Sequence, residues 1–163
     1  MSPKDVIRMN LETSDRIIGS YIGDLTDADL LIRPVPGMNH IAWQLGHLIG
    51  SERRLIELIR PGSCPPLPED FETGHGRDRH GLDDPSLYYP RARYEELWKT
   101  QRKATLQVLD QVPEEELPRT DPQRFPAHAP SVVAILSLCA LHPIMHAGQF
   151  VAVRRMLGKP VAI

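Results

Sequence analysis

The prolines of this chain decide what it can fold into. Sixteen are present, and most of them crowd into two connecting segments, Pro61 to Pro90 and Pro113 to Pro130. Proline lacks a backbone donor and breaks both helices and sheet ladders, so these two stretches read as loops. What remains between them is long and periodic at helical spacing. Ile7, Leu11, Ser14, Ile18, Tyr21 and Ile22 form one stripe, followed by Leu25, and the first helix is expected from about Lys4 to Gly23. A second, starting near Asn39 as its cap and ending before Pro61, carries Ile41, Leu45, Leu48, Leu55, Ile56 and Ile59 on one arc. A third is expected over Arg91 to Val112 and a fourth over Ser131 to Leu157. No segment shows the strict alternation of a half-buried strand. The expected fold is therefore all-α: a four-helix bundle, one domain over residues 1–163, with a long crossover connection between the second and third helices.

Composition narrows the function classes. Hydrophobic residues at 41% and charged residues at 25% describe a globular chain with a real core. A net charge of −2 without a basic run argues against a nucleic-acid partner. The N-terminus has no signal-like apolar region and no apolar run is read as reaching membrane-spanning length, so a cytoplasmic protein with no membrane partner is expected. Two cysteines, Cys64 and Cys139, are too few for a disulfide framework.

The chemistry concentrates in the histidines. His142 and His146 stand one helical turn apart, and with about 100° per residue both fall mid-stripe on the apolar face of the last helix, beside Gln149. Inside a core each imidazole needs a partner, and a shared cation satisfies two at once; core histidines bonded to backbone are the plainer alternative. The zinc-protease motif is excluded, because the position after the first histidine is Pro143 rather than glutamate. Pro143 also removes the amide bond to the carbonyl of Cys139 and is expected to kink or open the helix. His47 sits about 120° from the centre of its helix's apolar arc, on a mixed face with His40, Trp43, Ser51 and Arg54. Gly46 and Gly50 leave room for a close neighbour. Glu52 falls within the apolar arc; an ion pair with an arginine of another helix is the first expectation, with a catalytic role for Glu52 or His40 as the alternative. His75 and His80, in GHGRDRHG, read as solvated loop residues, and His128 as a loop residue without evident chemistry.

Two blocks carry a resemblance. LLIRPVPGMNHIAWQLGHLIGSE, with an R-P-x-P-G lead into I-A-W-x-x-G-H-L, and LHPIMHAGQFVAVRRMLGKP, with H-x-x-x-H-x-G-Q and R-x-x-L-G, resemble the DinB/YfiT-like superfamily. That resemblance implies a four-helix bundle with a three-histidine metal site made by His47, His142 and His146, holding nickel or zinc, in a chain that is often a homodimer. Relatives with assigned activities include thiol-dependent S-transferases and a mycothiol-dependent maleylpyruvate isomerase. It implies, for this chain, a metal-dependent transferase activating a low-molecular-weight thiol against a small electrophilic substrate. A hydrolase using water, and a non-catalytic stress-associated metal-binding protein, are the alternatives. Two departures adjoin the ligands: Ala147 stands where the family commonly has arginine, and Pro143 is atypical.

Overall fold

The structure is a computed structural model, and residues 1–161 are described. It is all-helical, with four long helices and one short one: α1 (Pro3–Ile22), α2 (Ile41–Ile59), α3 (Phe71–His75), α4 (Arg91–Gln111) and α5 (Val132–Met156). Local chemistry sets their ends. Ser2 and Asp5 form a reciprocal capping box at the start of α1, with Pro3 in its first turn. Ser131 caps α5 through its hydroxyl, which accepts from Ala134 N at 3.3 Å. The cap of α2 is His40, not the expected Asn39: its Nδ1 accepts from Trp43 N at 3.1 Å. A ring nitrogen can do the work of an Asn oxygen, and Asn39 uses its backbone carbonyl for another purpose described below.

Two apolar clusters fill the bundle, one at each end. One gathers the end of α1, the starts of α2 and α4 and the end of α5, including Ile18, Leu45, Tyr94 and Phe150. The other gathers the opposite ends, including Leu11, Ile56, Leu109 and Ile135. α1 and α5 therefore run one way, α2 and α4 the other. α2 and α4 pack directly against each other, so two parallel neighbours are joined by the Pro61–Pro90 segment, which travels back along the bundle. α1 packs mainly on α5.

That connection is better anchored than its composition suggests. Phe71, Gly74 and His75 are buried against α2. His75, expected to be solvated, is 5% exposed; its Nδ1 lies 2.8 Å from the Phe71 carbonyl and its Nε2 2.6 Å from Tyr94 Oη. Because Tyr94 Oη also accepts from Tyr89 N, its own proton goes to His75 Nε2, and His75 donates from Nδ1. Sequence reasoning missed this because a glycine- and charge-rich loop hides one buried anchor. His80 is exposed, as expected. Gly46 makes the approach possible: a Cβ there would stand 2.0 Å from the His75 ring. Gly46→Ala is expected to cost about 1–3 kcal/mol by overpacking, read as a lowered urea midpoint.

The polar layer between the clusters carries a buried ion-pair network. Arg102 of α4, 3% exposed, places Nη2 3.1 Å from Glu52 Oε2 and Nε 3.2 Å from Asp15 Oδ1. Thr105 donates to Glu52 Oε1 at 2.6 Å. Arg102 Nη2 also reaches the Cys139 carbonyl at 3.5 Å, the carbonyl that Pro143 deprives of its helical partner. The helix runs through Pro143 without interruption, and the freed acceptor finds a donor on another helix.

α5 is long and apolar enough, by length and composition, to cross a membrane, which differs from the expectation that no run reaches that length. Here it is the core helix of a bundle, packed against α1 and α2. Its end is tied down by Arg154, 2% exposed, which pairs with Asp24 at 2.5 Å and donates to the Tyr21 carbonyl at 2.8 Å.

Candidate metal centre

The bundle brings together residues that lie nearly a hundred positions apart in the chain. One ligand-capable atom from each of His47, His142 and His146 lies within 4.8 Å of the others. His142 Nε2 and His146 Nε2 are 3.1 Å apart. Two donors of one ion at about 2.1 Å stand about 3.0–3.4 Å apart in octahedral or tetrahedral geometry, so the two α5 histidines already stand at the spacing of ligands to one divalent cation, with a His47 nitrogen within 4.8 Å. The helical turn between the two α5 histidines supplies that spacing, and α2, packed across α5, supplies the third ring.

Each ring is oriented by a neighbour. Trp43, one turn before His47, stacks on it with centroids 4.8 Å apart and planes 13° from parallel. Gln44 accepts from His146: Nδ1 and Oε1 are 2.7 Å apart. The Gln44 amide is itself fixed, because its Nε2 donates to the Asn39 carbonyl at 2.7 Å. His146 must then carry its proton on Nδ1, leaving the Nε2 lone pair free for an ion. Gln149, singled out on the helix face by its position, has no such contact in the structure; Gln44 on α2 fills that role. The available signal for Gln44 was its place one turn before Leu48, within the block that carries His47, but a glutamine beside a tryptophan has no motif of its own. Gln44→Ala is expected to weaken metal binding about 10–100-fold while leaving the fold intact, measurable by competition with a chromogenic chelator.

Burial holds the triad neutral. Desolvation, with a lesser contribution from its histidine neighbour, lowers the His47 pKa to about 4 and that of His146 to about 3, and His142 is shifted down mainly by desolvation as well. A metal site needs neutral imidazoles, and these are neutral at any physiological pH. Desolvation lowers His40 and His75 too. The sign for stability follows. Unfolded imidazoles take up protons as pH falls through about 6.5, native His47 and His146 resist until about 4 and about 3, and His142, His40 and His75 are shifted in the same direction, so the unfolded state binds more protons in between. The five histidines outnumber the two carboxyls raised by burial, Asp15 and Glu52, which pull the other way. The metal-free protein is therefore expected to lose stability steadily between pH 6.5 and 4, with a flat melting temperature above pH 7 in a thermal scan.

The two residues expected as possible general bases are both engaged elsewhere. Glu52 faces Arg102 and Thr105, the ion pair that was the first expectation. His40 spends Nδ1 on its cap, and Nε2 lies 3.3 Å from the Leu82 carbonyl. Ala147 is 2% exposed within an apolar cluster, so an arginine in its place would need a different local packing.

A cleft of about 620 Å³ opens over His47 and His142, a size ordinary for small-molecule sites. α2 contributes one stripe to its wall: His47, Ser51, Arg54, Leu55 and Leu58. The two proline-rich connections form the rims with Arg77, Arg124 and His128.

The sequence profile described as the DinB superfamily matches residues 11–150. Among solved structures, the crystal structure of the conserved protein of locus from Enterococcus faecalis superposes with a TM-score of 0.71 at 16% identity, covering 98% of this chain and 99% of that one. At that identity the likeness speaks for the fold. None of the curated proteins matches the chain.

Proposed function

The chain belongs to the DinB superfamily, and from that premise we propose a divalent-metal-dependent transferase that brings a low-molecular-weight thiol to an electrophilic small molecule. The observation that carries the proposal is the neutral three-histidine set, two of whose rings, His47 and His142, line an open cleft. Imidazole donors suit nickel or zinc, the ions expected for this site. His47, His142 and His146 would hold a divalent ion, which would supply Lewis acidity and make a thiol or a water reaching it a stronger acid. The protein's own residues do the rest. Trp43 and Gln44 hold the ring planes and the tautomer, and the apolar wall of Leu55 and Leu58 shields one side from water.

The choice of thiol over water rests on the missing base. Glu52 and His40 are occupied, so the nucleophile should be one that ionises readily by itself, and a thiol with pKa of about 8.5 does so far more easily than water. A hydrolase is the second reading, favoured by His128: among the described residues it is the imidazole that lines the cleft outside the triad.

The test is metal analysis of the purified protein, followed by turnover assays with chlorodinitrobenzene and with simple esters, each with and without glutathione or 2-mercaptoethanol. Product formation that requires both metal and thiol supports the transferase. Ester cleavage without thiol moves the assignment to the hydrolase, and stoichiometric metal without any turnover moves it to a non-catalytic metal-binding protein.

A further inference from the structure

We infer that the cleft over the triad is built for a small molecule carrying at least two anionic groups, carboxylate or phosphate, held by Arg54, Arg77 and Arg124. This deepens the proposed function and rests on it for the reading of the cleft as a substrate site, though not for the metal or the nucleophile.

The whole chain carries a net charge of −2, yet the cleft presents three guanidiniums against the one carboxylate of Glu72. They come from three separate segments: α2, the turn after α3, and the connection between α4 and α5. Only the fold assembles them. Most other arginines at structural positions are committed to carboxylates, as with Arg33 to Asp83, Arg102 to Glu52 and Arg154 to Asp24. Among the described residues, none of the cleft's three forms an ion pair. Arg54 spends one bond on Ser51 Oγ at 3.0 Å and Arg124 one on the Leu58 carbonyl at 2.9 Å. Each guanidinium has five N–H donors, so most of each fork stays available. Such forks match carboxylate and phosphate oxygens in pairs, and like charges gathered in one concavity raise the local concentration of anions.

Arg54 lies seven residues beyond His47 on the same face of α2, and its guanidinium reaches back toward the triad to bond Ser51 Oγ. A volume of about 620 Å³ accommodates a small molecule with its reacting atom at the triad and its anionic groups on the arginines.

The test uses succinate and 3-phosphoglycerate as probes, titrated into the full chain, metal-free and zinc-loaded, and followed by amide chemical shifts. The expected result is saturable shifts of α2 and cleft-rim amides with at least one probe, weakening as salt is added. An Arg54→Gln, Arg124→Gln double variant should weaken that binding at least tenfold, and uncharged dimethyl succinate should not bind. Both arginines are exposed, and circular dichroism checks that the variant folds. No shift with either probe, or equal binding by the double variant, overturns the inference. The two readings fail separately: anion binding without any thiol-dependent turnover leaves this inference standing and removes the transferase. Turnover with glutathione that the double variant leaves unchanged does the reverse.

Discussion

Replacing His142 with alanine is expected to lower the bound divalent metal from about one ion per chain to less than about a tenth of that at matched concentration, a loss in affinity of more than about 100-fold. The reasoning starts from the donor set. Three imidazoles would hold the ion, and removing only the group that orients one ligand typically weakens binding by about 10–100-fold. Removing a ligand outright must cost more. His142 is half-buried on the edge of the cleft, and its ring contacts His146 at 3.1 Å and His47 edge-on at 5.2 Å between centroids. Among the described residues its side chain makes no hydrogen bond outside the triad, so the far-ultraviolet circular dichroism of the variant should match the parent. The measurement is metal content after gel filtration, with His128→Ala as the control that keeps its ion. Retention of stoichiometric metal by the His142 variant would remove the three-histidine assignment.

Arg102→Met is expected to be the most damaging substitution for stability, at about 3–5 kcal/mol, or a melting temperature lower by roughly 6–20 °C. Arg102 answers two carboxylates from two other helices and a carbonyl that proline has stripped of its helical donor. Its guanidinium also lies 5.3 Å from the Trp98 ring. Methionine fills the stem but leaves Glu52 and Asp15 without a countercharge. Burial raises the Glu52 pKa, and Arg102 works against that rise, so the variant should hold Glu52 protonated over a wider range. The defect is then largest near pH 8 and shrinks toward pH 5. Adding Glu52→Gln to Arg102→Met should recover a good part of the loss, because the isolated charge goes with the carboxylate. Metal content should stay near that of the parent in both variants. A fall in metal without a fall in stability would instead tie Glu52 or Arg102 to the site.

How legible all this was depends on the range of the interaction. The helices could be read because each repeats a local pattern: apolar residues at helical spacing, with Ser131 opening α5 and proline closing the connections. The same local logic missed the cap of α2, since His40 and Asn39 are neighbours and only the backbone path decides which side chain turns back. Glu52 in an apolar stripe announced a buried ion pair, but its partner lies on another helix, fifty residues away. His75 was misread because its partner, Tyr94, belongs to α4, and its place was opened by Gly46 of α2.

The sequence by itself determined that this chain is a helical bundle, that two histidines share one face of its last helix, and that His47 sits in a block resembling a known family. Periodicity and short motifs carry that much, because they depend on residues within a turn or two of one another. Only the tertiary structure decided that the three imidazoles converge to a few ångströms, that Gln44 fixes one tautomer, and that three arginines without an ion pair among the described residues line the cleft over them. Those facts arise where α2 crosses α5 and where two irregular connections fold over both. No spacing within a single segment encodes a contact that packing alone creates.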